Sequence, residues 1–71
     1  MGDRAPFRAE LVIGQLLVLT ETDLTVLFEK EKATFPHTFD YEYLEKLADQ
    51  ALGETVILHT INGRVTKVKL A

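Results

Sequence analysis

Between Phe7 and Leu19 the chain reads FRAELVIGQLLVL. Phe7, Ala9, Leu11 and Ile13 alternate there with Arg8 and Glu10. A period of two places the two sets on opposite faces of a half-buried strand. The stretch is about twice the usual ~5 to 6 residues of a strand. Gly14, with Val12, Ile13 and Val18 around it, predicts one long strand that bends or bulges at the glycine. Beyond Gly14 the run is apolar on both faces, the pattern of a strand shared by two sheets of one barrel.

The polar TETD, residues 20–23, is a turn, and LTVLFEKE, residues 24–31, is the second strand of a hairpin. The mixed charges of EKEK, residues 29–32, mark its solvated end. In KATFPHTF, residues 32–39, Ala33, Phe35, His37 and Phe39 alternate with Thr34, Pro36 and Thr38, which predicts a third strand. Pro36 has no N–H to give to a ladder, so it belongs at an edge or an open seam.

The period then changes. Leu44, Leu47, Ala48 and Ala51 recur at helical spacing, with Leu52 beside them, while Glu42, Glu45, Lys46 and Asp49 lie on the other side. Asp40 is the expected N-cap, because its carboxylate can accept from the free N–H groups of the first turn, and Gly53 is the expected stop. Strand character returns in ETVILHTINGRVTKVKL, residues 54–70, around Asn62-Gly63. A three-residue loop, Ile61-Asn62-Gly63, with Gly63 in a bulge, opposes Val56 to Val68 and Leu58 to Thr66. That register puts Lys67 and Lys69 on the other face with Ile57 and His59. Register follows the buried face, so the lysines point outward whether or not a ligand meets them.

The order β-β-β-α-β-β is mainly β with one helix. A long bent first strand, two antiparallel strands, a helix after the third and a closing hairpin resemble the OB-fold, a five-stranded Greek-key small barrel. The resemblance covers residues 7–70 in element order only. A β-grasp-like α+β sheet is the alternative architecture. Residues 7–71 are expected to form one domain, with residues 1–6 a disordered N-terminal segment.

Composition narrows the chemistry. The 71 residues contain no cysteine, so neither a disulfide nor a thiolate zinc site assists a core of this size, and packing or self-association must supply stability. Serine is also absent, which removes the commonest nucleophiles. His37 and His59 are isolated, and the carboxylate pairs Glu21 with Asp23 and Asp40 with Glu42 fit turns and the helix start. No phosphate-binding glycine pattern or EF-hand spacing occurs. The expectation is a protein without catalysis, cofactor or small-molecule substrate.

The net charge of −3 is uneven. Residues 1–54 carry five basic and eleven acidic side chains, or −6, and residues 55–71 carry three basic and no acidic ones, or +3. A binding module acting through protein–protein contacts or as a subunit of an assembly is therefore expected, with Phe35, Pro36 and His37 as its open-seam edge. The OB-fold resemblance implies the alternative, weak and salt-dependent single-stranded nucleic-acid binding, with Arg64, Lys67 and Lys69 at phosphates and Phe28 and Phe35 as stacking platforms. An acidic total disfavours it. The longest apolar run is too short to cross a bilayer. MGDRAPF lacks a signal-peptide core, so a cytoplasmic setting is expected.

Overall fold

The computed structural model describes residues 8–71; the segment expected to be disordered lies outside them. The elements are β1 (Ala9–Leu19), β2 (Asp23–Phe28), β3 (Glu31–Pro36), α1 (Tyr41–Ala51), β4 (Thr55–Ile61) and β5 (Arg64–Leu70). One sheet runs β3-β2-β1-β4-β5, with every ladder antiparallel. Its two outer strands approach each other at a single parallel bridge, His37 with Val65. Among the described residues no ladder closes the sheet.

β1 changes partners along its length. Ala9 to Gln15 pair with β4, and Gln15 to Leu19 pair with β2. The expected bulge is present but lies at Leu17, between Leu16 and Val18. Gly14 stays in register opposite Val56. Its glycine is needed for another reason: a Cβ there would stand 2.5 Å from the Leu27 carbonyl oxygen, where β2 crosses close to β1. The bulge also explains the doubly apolar run. Before it the even positions Val12, Gly14 and Leu16 face the core, and after it Leu19 does. The alternation of β1 is real, but the buried side is the even one, and Leu11 and Ile13 face water.

The β2–β3 hairpin is tighter than residues 24–31 suggested. Phe28 pairs with Glu31, leaving a two-residue loop in which Glu29 and Lys30 both have positive φ, 51° and 71°. That is the arrangement of a type I′ turn, which Asn-Gly occupies with little strain. Replacing both residues, Glu29→Asn with Lys30→Gly, is expected to add about 1 kcal/mol of stability. The check is a urea titration; an unchanged midpoint would mean that the loop is not strained.

Asp40 caps α1 as expected, its Oδ1 accepting from the Tyr43 N–H at 2.9 Å. Leu44, Leu47 and Ala51 are buried, whereas Leu52 falls off the stripe and is half exposed. Gly53 ends the helix at φ 88° and ties it to the bend of β1. Its N–H donates to the Leu16 carbonyl at 2.8 Å, and the Leu16 N–H donates to the Glu54 carbonyl at 2.9 Å. The core lies between the helix and the inner sheet face, with Leu16, Leu24, Val26, Val56, Leu58 and Val65 essentially inaccessible.

The last hairpin also differs from the expected loop. Ile61 pairs directly with Arg64 around a two-residue Asn62-Gly63 turn, and the extra residue sits inside β5, at Thr66. Leu58 therefore opposes Val68, and Val56 opposes Leu70. Burying Leu58 and Val68 together outweighs any preference for a longer loop, since Asn62 and Gly63 both accept positive φ. Lys67 and Lys69 still share a face with His59 and Ile57.

Candidate interaction surface

Alternation decides what the sheet shows to water. With Val56, Leu58 and Thr60 buried, β4 turns Ile57, His59 and Ile61 outward, and β1 turns Leu11 and Ile13 outward beside them. Rows cross three strands: Leu11, His59 and Lys67 form one, and Ile13, Ile57 and Lys69 the next. Leu27 and Gln15 continue the face toward Lys32 of β3. Leu11 is 63% exposed, Ile13 53% and Val18 48%, with Leu27 at 37%. Single exposed aliphatics are ordinary; neighbours on one sheet face make a patch.

Charge divides with the faces. Arg64 stands opposite Ile61 and shares the outward side of β5 with Lys67 and Lys69, while Val65 and Val68 point in. Lys32 adds a fourth cation from β3. The carboxylate on this face, Asp23, accepts hydrogen bonds from Thr20 and Thr22 at the end of β2. Across the core, the exposed side of α1 carries Glu42, Glu45 and Asp49. The acidic total thus hides a basic, apolar sheet face.

The residues expected to hold nucleic acid are not brought together. Arg64, Lys67 and Lys69 form one strip. Phe35 pairs with fully buried Leu24 and packs half-buried against the core, so it faces away from them. Phe28 lies on that same core-facing side, partly exposed at the hairpin end.

The expected seam residues also separate. Pro36 sits exposed on the outer strand β3, opposite Asp23. His37 is buried and bonded at both ring nitrogens, Nε2 to the Thr20 carbonyl at 2.9 Å and Nδ1 to the Phe39 N–H at 3.1 Å. Because a backbone N–H must donate, Nδ1 is the acceptor and the proton resides on Nε2. The ring stacks on Phe39 at 5.0 Å. Its backbone N–H donates to the Thr22 carbonyl, making His37 a clamp between the first turn and β5.

Two of the surface depressions adjoin these residues. The first lies where β1, β4 and β5 meet, near Leu11, His59 and Thr66. The second lies between the Thr20 turn and Tyr41 of α1. Among the described residues no three His, Cys, Asp or Glu side chains gather as metal ligands, and no helix is long and apolar enough to cross a membrane. The outward patch was not singled out from sequence, although its signal was there in the odd apolar residues of β1 and the Ile57, Ile61 pair of β4. The chain matches no known family, no curated protein and no solved structure in comparisons with each.

Proposed function

We propose that the chain is a non-catalytic binding module, an OB-like small barrel that acts through protein–protein contacts made by its outward sheet face. The barrel reading draws support from the strand order β3-β2-β1-β4-β5 and from the His37–Val65 bridge, which brings the outer strands together in the parallel sense. The observation that carries the function is the exposure of Leu11, Ile13 and Leu27 on one face, bordered by Lys67 and Lys69. An apolar centre with a charged rim is the anatomy of a protein interface. Absence of catalysis is favoured by His37, whose two nitrogens are already committed inside the fold.

Photo-crosslinking in extract from the native host tests this reading. A photoreactive side chain at Ile13 should give protease-sensitive, nuclease-resistant adducts of defined mass, and one at Glu45 on the helix should not. Adding Leu27→Asp should remove them. Equal adducts from both positions would refute the reading.

The basic strip on β5 favours a second reading, weak single-stranded nucleic-acid binding. Its three cations can neutralise about three phosphates at most, giving a salt slope near −2. Nuclease-sensitive adducts at Ile13, lost in Lys67→Glu with Lys69→Glu, would establish it in place of the first.

A further inference from the structure

Among the described residues, the upper half of β1 has one partner where a strand inside a sheet has two. Ala9 to Ile13 pair with β4, and β2 begins its pairing only at Gln15. Two sets of hydrogen bonds fix which way this backbone points. The Arg8 carbonyl accepts from the Asn62 N–H, and Leu16 both donates to Glu54 and accepts from Gly53, so the even residues address β4 and the chain before it. The N–H and C=O groups of Ala9, Leu11 and Ile13 therefore point the other way, where no described strand pairs with them.

Other sheet edges in the molecule carry protection against strand addition. β3 has Pro36 and Lys32, and β5 has Arg64, Lys67, Lys69 and the Thr66 bulge. The Ala9–Ile13 edge has Leu11 and Ile13, both more than half exposed, and a single charge, Glu10.

We infer that this edge pairs with the same edge of a second copy, antiparallel about a twofold axis at Leu11. Only this centre lets the free odd residues of both strands exchange hydrogen bonds over the whole edge: Leu11 opposes Leu11 of the second copy, and Ala9 opposes Ile13 of the second copy. Charge permits it, because Glu10 meets Val12 of the second copy and no like charges are opposed. The cationic strands β3 and β5 stay outside the junction. Joining the sheets makes the outward patches of both copies one continuous apolar face. It also gives a small chain without cysteine the added burial that it lacks alone.

Sedimentation of the full chain over a wide concentration range tests the pairing. A mass twice the 8.0 kDa of one chain is expected. Leu11→Lys and Leu11→Glu should each give the single-chain mass, since either puts like charges face to face. An equimolar mixture should restore the doubled mass, because lysine then meets glutamate. Hydrogen exchange on the wild-type chain gives a readout free of substitutions: amides of Ala9, Leu11 and Ile13 should gain protection on concentration. A single-chain mass at every concentration overturns the inference, as does a mixture that fails to reassociate. It is equally overturned by protection appearing on β5, or by masses that climb past two copies as in a head-to-tail chain.

Discussion

Gly14→Ala is expected to destabilise the protein by about 3 kcal/mol, at the upper end for overpacking a filled interior. The added methyl would meet the Leu27 carbonyl oxygen at 2.5 Å, with the Leu27 carbonyl carbon at 3.2 Å and the Val26 Cβ at 3.4 Å behind it. The first two obstacles are backbone in a paired strand, so the collision cannot be relieved by turning a flexible side chain. Moving β2 away instead disturbs the burial of Leu24 and Val26, both fully covered. A single core in a chain this short supplies ~3 to 5 kcal/mol, so the variant should keep only ~0 to 2 kcal/mol and be measurably unfolded at 37 °C. Urea denaturation followed by far-UV circular dichroism measures the change. A loss under about 0.5 kcal/mol, the range of an ordinary surface substitution, would mean that β2 does not press on β1 at this point.

His37→Ala is expected to cost a further-reaching ~2 to 4 kcal/mol, the sum of a lost buried ring and two backbone groups left without partners. The Thr20 carbonyl and the Phe39 N–H both depend on the imidazole, and Phe39 loses its stacking neighbour while still touching Tyr43. His37→Phe separates the two contributions. It keeps a ring against Phe39 yet leaves both backbone groups unpaired, so most of the loss should persist. If His37→Phe proves as stable as the parent chain, the hydrogen bonds are not what holds the clamp. Amide exchange at Val65, the bridge partner of His37, should rise in both variants, since the clamp is where β3 reaches β5.

These two positions show where the sequence was informative and where it stopped. A glycine in an apolar strand announced a bend or a bulge at that position, and the protein instead has a close approach at Gly14 and the bulge three residues later at Leu17. Nothing local distinguishes them, because the approach depends on how β2 crosses from the far side. His37 was visible as the third of four alternating residues and reads in sequence as part of an open edge, whereas it is buried. Its hydrogen bond to Thr20 was not visible, since Thr20 belongs to a turn seventeen residues away in the chain.

The candidate surface followed the same division. Lys67 and Lys69 were readable as outward from the alternation of β5, and the register that carries them came out one bulge different. The phenylalanines were readable as strand residues, but which face they occupy depends on the pairing of β2 with β3 and on the core they meet. The apolar patch of Leu11 and Ile13 lay in plain sight as the odd half of an alternating strand.

By itself the sequence determined the order of five strands and one helix, the caps at Asp40 and Gly53, the single buried stripe of α1 and the outward lysines. Those features are set by periodicity and by residues whose backbone preferences act within a few positions. Tertiary structure alone decided which side of β1 is buried, where each bulge falls, that His37 bridges to Val65, and that cations and aliphatics share one face. A strand offers two faces of similar apolarity, and only the partner strands and the helix laid against one of them settle which is removed from water.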